Sequence, residues 1–258
     1  MARLTVLGTA FAVSDEGHDN THFVLAGRER TLLIDCASNP VVRLKMAGVP
    51  LDQVSDLLLT HFHPDHASGV ALLLMDMWLL GRRKPLLLHG LSPVIERTEA
   101  LLDLYGWNEW PNFFPVMFQR LPGHEHSAAF SCAEYVVFTS PVQHFVPTIG
   151  IRIEFLKSGK IFSYSCDTEP CQAVVRLAKD ADVLFHEANA ACDDPQRIFP
   201  GHSSAAQAGD IARQAEVKSL YLIHYPSGEL DRDEFIGQAR RFFSGKVDLA
   251  QDFMHINF

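Results

Sequence analysis

In Asp56-Leu57-Leu58-Leu59-Thr60-His61-Phe62-His63-Pro64-Asp65-His66, an apolar run that reads as a buried strand gives way to three imidazoles and a carboxylate within six residues. An ordinary strand-to-helix connection needs only a turn and an N-cap. Four metal-capable groups left unpaired there would mostly cost desolvation, so the cluster points to metal. The spacing sorts the groups. His61 and His63 are two apart and point the same way from an extended segment, whereas Asp65 and His66 lie beyond Pro64, at the start of a helix, and point to a second position. Two adjacent metal sites follow, an arrangement suited to generating hydroxide and clamping a displaced oxygen.

On either side of this segment the hydrophobic pattern predicts an α/β chain. Strand-like runs at Leu4–Leu7, Phe23–Leu25 and Leu32–Ile34 open it, followed by a helix near Pro40–Ala47. Strand 56–60, helix 67–81, strand 86–89 and helix 92–105 then alternate, with strands near 116–120, 135–139, 149–155 and 160–164 after them. Helix 171–178, strand 182–185, helix 203–215, strand 218–223 and helix 232–243 complete the pattern, which implies sheets with helices outside. No low-complexity tract or Pro/Ser linker divides residues 1–258, and a single domain is expected.

Composition narrows the class. With 258 residues, 47% hydrophobic and 21% charged, the chain is that of an ordinary soluble globular protein. The apolar run Val70–Leu80 is short and interrupted by Asp76, hence a buried helix and not a membrane span. Met1–Leu7 runs directly into strand-like alternation without a signal core, so a cytoplasmic location is expected. Cys36, Cys132, Cys166, Cys171 and Cys192 form no C-x-x-C pair and read as buried thiols. A net charge of −9 argues against extensive nucleic-acid binding, and Arg82-Arg83-Lys84 reads as a solvated helix C-terminus. The aromatic stretch 105–118, broken by Gly106, Pro111 and Pro115, is either a local packing cluster or a surface that covers substrate or contacts a second copy in a homodimer.

Further ligands are expected at strand ends, where a sheet holds them rigidly. His144 follows Pro141-Val142-Gln143, Asp167 ends Ile161–Cys166, and His224 ends Leu220–Ile223. Taken singly, each reads equally as a cap or turn residue. Together with the first cluster they resemble the metallo-β-lactamase superfamily, whose H-x-H-x-D-H signature is matched by His61, His63, Asp65 and His66. Leu7-Gly8-Thr9 looks like that family's first strand and turn, and Ile34-Asp35 like its strand and Asp before the motif. Within the superfamily the likeness is to ribonuclease Z and small phosphodiesterases, through His144–Gly150, Ser165–Thr168, His186-Glu187-Ala188, His202-Ser203-Ser204 and Ile223-His224-Tyr225. Two departures stand out. Asp167 follows His144 by only 23 residues, which leaves no room for the tRNA-binding arm usual in ribonuclease Z, and Cys166 stands where the family generally shows Gly.

The resemblance implies a metallo-β-lactamase-like αββα sandwich of two mixed sheets with helices on the outer faces. It implies two divalent ions per chain, one held by His61, His63 and His144, the other by Asp65, His66 and His224, with Asp167 bridging. Zinc suits the His-rich set, while manganese or iron is accommodated by the carboxylates. The implied enzyme is a binuclear hydrolase, a phosphodiesterase using a metal-bridging hydroxide on a small or nucleotide-like ester. Asp65 would ligate and accept a proton, His202 would protonate the leaving oxygen, and Glu187 would orient His202. Without the family, His202 reads as a turn residue before a helix capped by Ser203 or Ser204. Hydrolysis of carboxylic esters, lactones or thioesters is the alternative supported by the same ligands, and a non-catalytic metal-binding regulatory protein is the second. The redox variant of the fold usually carries Glu where His63 stands. His186 reads as structural; a surface or secondary metal role is open for His89, His124 and His126.

Overall fold

In the computed structural model, residues 2–194, 196–228 and 231–258 are described. The first sheet opens with the antiparallel strands β1 (Arg3–Gly8), β2 (His22–Ala26) and β3 (Thr31–Ile34), and continues in parallel with β4 (Val54–Leu58), β5 (Leu86–Leu91) and β6 (Val116–Leu121). Its helices are α1 (Pro40–Met46), α2 (Pro64–Ala67), α3 (Val70–Leu79) and α4 (Ser92–Leu104). The second sheet starts as the antiparallel meander β7 (Ser127–Ser131), β8 (Tyr135–Pro141), β9 (Ile149–Phe155) and β10 (Ile161–Tyr164). It ends in the parallel strands β11 (Val183–Glu187), β12 (Ser219–Ile223) and β13 (Lys246–Leu249), connected through α5 (Gln172–Leu177), α6 (Ala205–Gln214) and α7 (Arg232–Arg240). A last strand, β14 (His255–Asn257), returns to the first sheet beside β1, and each sheet has seven strands.

The parallel strands are apolar on both faces because helices cover one side and the opposing sheet the other. Phe23 of β2 meets Tyr164 of β10 and Phe185 of β11 at ring separations of 4.9 and 5.5 Å, so the two sheets share one core. A second, alanine-rich core lies between β11–β13 and α5–α7. There α6 and α7 approach so closely that a Cβ on Gly209 would stand 2.3 Å from the Ala239 carbonyl oxygen. The architecture is the αββα sandwich with two mixed sheets.

Several expectations are corrected. The helix expected at 67–81 is two: α2 and α3 break at Gly69, whose N–H bonds the Cys36 carbonyl at 2.8 Å and where a Cβ would lie 2.8 Å from Pro40 Cδ. Strands β7, β13 and β14 escaped the pattern because each is short and lies at a sheet edge, where alternation is weak. Arg82 is not solvated. Its guanidinium is buried and donates to the carbonyls of Lys84, Pro85 and Leu51 while resting over the Phe114 ring at 5.2 Å. Only Cys36 and Cys166 are buried; Cys132, Cys171 and Cys192 are half-buried. The 105–118 stretch is a packing cluster: Trp107 meets Phe113 and Phe118 edge-on, Trp110 stacks on Trp78 of α3, and Phe114 enters the core. Among the described residues no helix is long and apolar enough to cross a membrane.

Candidate metal centre

The fold brings the C-terminal ends of β4, β8, β10, β11 and β12 to one place, and every candidate ligand lies at or just beyond one of them. The chain turns sharply here. Asp35, Cys166 and His224 adopt left-handed backbone with φ of 61°, 56° and 54°, a strained conformation that persists where surrounding contacts over-determine it. Pro64 at the first position of α2 keeps His63 extended, so the chain presents His61 and His63 before the helix begins and Asp65 and His66 within its first turn.

Among the described residues four groups of potential ligand atoms result, His61–His66–Cys166 and Glu187–His202–His224 among them, and the two with four members share one carboxylate. In the first, His61 Nε2 and His144 Nε2 lie 3.1 and 3.3 Å from His63 Nδ1, and Asp167 Oδ2 is 3.7 Å from His61 Nε2. In the second, Asp65 Oδ2 is 3.5 Å from both His66 Nε2 and His224 Nε2, which stand 3.4 and 3.3 Å from the same Asp167 Oδ2. Asp167 Oδ1, His66 Nε2 and both His224 ring nitrogens are buried without a hydrogen-bond partner among the described residues. Orphaned polar atoms of this kind, converging from separate segments, are costly unless a ligand satisfies them. Electrostatics agree. Burial pushes His61, His63 and His144 below the usual imidazole range, leaving neutral rings with lone pairs to donate. Burial acts the same way on His66, but Asp167, Asp35 and Asp65 outweigh it and raise His66 well above that range, the mark of a buried negative field that a cation would neutralise. The donor set fits divalent cation binding.

The supporting contacts were only partly legible. Asp35 accepts hydrogen bonds from the Thr60 N–H at 2.8 Å, the Thr60 hydroxyl at 2.9 Å and His66 Nδ1–H at 2.8 Å, which turns His66 Nε2 inward. His144 Nδ1–H donates to the Gly201 carbonyl at 2.7 Å, with the same effect. Cys166 Sγ lies 3.6 Å from His61 Nδ1. His202 stands between the two groups, its ring 5.0 Å from that of His144 and stacked 5.5 Å from that of His224. Its Nδ1–H donates to Glu187 Oε1 at 3.0 Å, and Glu187 also accepts from the N–H groups of Thr168 and Ser203. Burial opposes charge on His202, but the Glu187 hydrogen bond and carboxylate overcome it and raise the imidazole to about 9. Ser204, not Ser203, caps α6, in a capping box with Gln207. Glu169, unnoticed in the sequence, joins this region through Gly201, and nothing in its local pattern marks it.

The other histidines lie apart from this cluster. His89 Nε2 bonds Asp56 at 2.8 Å and stacks on Phe130; His124 contacts the Ser127 hydroxyl; His126 stacks on Phe138. None of them belongs to a ligand group among the described residues. His186 is buried, its Nδ1–H donating to the Glu187 carbonyl.

The fold and the converging ligands define a metal-dependent hydrolase of the metallo-β-lactamase superfamily. It resembles ribonuclease Z of Methanothermobacter thermautotrophicus, with 27% identity over 305 residues covering 99% of this chain and 96% of the relative. The chain belongs to the family described as anti-Pycsar protein Apyc1, whose sequence profile matches residues 2–245. Among solved structures, the metallo-β-lactamase fold protein YhfI from Bacillus subtilis superposes with a TM-score of 0.83 at 20% identity, covering 99% of this chain and 98% of that one. The short form of human tRNase Z gives 0.78 at 22% identity, with 99% and 98% covered.

Proposed function

We propose that the protein is a binuclear metal-dependent phosphodiesterase acting on a small or nucleotide-like ester. The observation that carries the reading is the sharing of Asp167 Oδ2 between two ligand groups, with His202 outside both and hydrogen-bonded to a buried carboxylate. His61, His63 and His144 would hold one ion, Asp65, His66 and His224 the other, and Asp167 both; the imidazole-rich set suits zinc. When bound, such a pair supplies Lewis-acid stabilisation of the charge developing on the phosphoryl group and activation of the attacking water.

The chain's own residues supply the proton traffic. Asp65, held below the usual carboxylate range by His66 and His224 against the opposing effect of burial, is ionised and accepts the proton from water. His202 commits Nδ1 to Glu187 and keeps Nε2 for the substrate, where it donates a proton to the leaving oxygen as the P–O bond breaks. Glu187 acts through His202 and is a positioning residue.

Substrate size is argued from what separates His144 and Asp167. Residues 145–166 hold β9, β10, the turn between them and the short stretches 145–148 and 165–166, and the net charge of −9 disfavours a long phosphate backbone. The curated relative is a ribonuclease Z, so nucleic-acid chemistry stays within the same reading at the level of a single phosphodiester. A homodimer belongs to the proposal, and a monomer mass by light scattering would remove it. The deciding experiment is elemental analysis of the purified protein, then a parallel screen of aryl phosphodiesters, cyclic nucleotides, lactones and thioesters. Turnover confined to lactones or thioesters would replace the phosphodiesterase reading, and two bound metals with no turnover would favour the regulatory one.

A further inference from the structure

Three loops meet around Glu169, which belongs to none of the ligand groups. Its Oε1 accepts a hydrogen bond from the Gly201 N–H at 3.0 Å, its Oε2 accepts one from the Gln143 side-chain amide at 2.9 Å, and its own N–H donates to the Gln143 carbonyl at 2.7 Å. Gln143 precedes His144, and Gly201 precedes His202. The Gly201 carbonyl in turn accepts from His144 Nδ1–H at 2.7 Å, which closes a ring of contacts from Gln143 through Glu169 and Gly201 back to His144. Gly201 has little freedom to drift: its φ is +79°, and a Cβ there would stand 2.9 Å from the Phe145 ring. On the other side, Thr168 ties the same loop to the proton donor, because its hydroxyl accepts from the Gln143 N–H and its own N–H donates to Glu187, the partner of His202.

We propose that Glu169 is a positioning residue that holds a metal ligand, His144, and the proton donor, His202, in one register by spanning the Gln143 and Gly201 loops. It rests on the roles assigned to His144 and His202 under the proposed function. The two imidazoles sit in separate connections, His144 in the one after β8 and His202 in the one between β11 and α6, so each can shift without the other unless a side chain joins them. A carboxylate suits the junction because it accepts from both sides at once. Glutamine keeps one acceptor for Gly201 and meets Gln143 correctly if Gln143 turns its amide over.

The test compares Glu169→Ala, Glu169→Gln, His202→Ala and the Glu169→Ala/His202→Ala double variant. At saturating zinc, Glu169→Ala should lower kcat roughly 10- to 100-fold on a dinucleoside monophosphate, the range for lost outer-shell partners. It should lose only a few-fold on bis(p-nitrophenyl) phosphate, whose leaving group needs little protonation. Glu169→Gln should recover most of the loss. On the dinucleoside the double variant should be slower than His202→Ala by no more than the few-fold loss that Glu169→Ala shows on the p-nitrophenyl ester, since the rest of the two single losses is the same function removed. Independently of turnover, zinc affinity of the apo protein by chelator competition should fall about tenfold in Glu169→Ala and recover in Glu169→Gln. Unchanged zinc affinity, equal loss on both esters, or additive losses in the double variant would each overturn the proposal. If the wild type cleaves neither ester, the functional reading fails, while the zinc measurement still decides the His144 half of the inference.

Discussion

Glu187 Oε1 and His202 Nδ1 are 3.0 Å apart, and that single contact leaves Nε2 as the only ring nitrogen of His202 free for a substrate. The carboxylate is fully buried and holds its position through the Thr168 and Ser203 N–H groups, so the imidazole is aimed from strand β11 through a contact that its own neighbour Ser203 helps to fix.

His202→Ala should therefore keep metal content and fold while lowering kcat by roughly 10²–10⁴-fold on an ester with an alkyl or ribosyl leaving group. On a p-nitrophenyl ester it should be nearly normal. Equal impairment on both would assign His202 to substrate positioning, and lost metal would make it structural.

Asp167→Ala removes the carboxylate oxygen common to both ligand groups. Metal affinity should fall at both positions by more than the roughly 10–100-fold typical of an outer-shell loss. Elemental analysis giving one ion or none in the metal-supplemented wild type would end the two-ion reading.

Without the protruding arm, the protein should cleave a small phosphodiester and bind precursor tRNA weakly, with any binding falling steeply as salt rises. Filter binding and 3′-end mapping are the measurements. Specific, efficient cleavage of a precursor tRNA would show that another surface replaces the arm.

Stability should depend on pH through His186. Burial lowers its imidazole from 6.5 to about 4, with a lesser opposing contribution from the Glu187 carbonyl. Between these values the unfolded chain binds a proton that the folded chain refuses, so stability is present above pH 6.5 and lost as pH falls toward 4. From pH 7.5 to 5 the loss from this group is about 2 kcal/mol. Urea unfolding of the metal-free protein at both pH values reads it, and His186→Leu should flatten the dependence by that amount; an unchanged slope would remove His186 as its source.

The local signals that survived folding are those with short-range causes. The burst of His61, His63, Asp65 and His66 after an apolar strand is a property of eleven consecutive residues, and the alternation of strands and helices follows from side-chain periodicity. Both are written along the chain. Residues that work by distant pairing were not legible in the same way: Arg82 as a buried carbonyl cap, Asp56 with His89, Asp35 behind His66, and Glu169 between Gln143 and Gly201. An acid or a base in a loop has the same sequence appearance whether it is solvated or locked. What the sequence alone determined was the class of fold and the set of imidazoles and carboxylates available for metal. Only the tertiary structure decided which ring nitrogen each histidine presents and which carboxylate stands behind it, because those choices depend on hydrogen bonds closed between strand ends far apart in the chain.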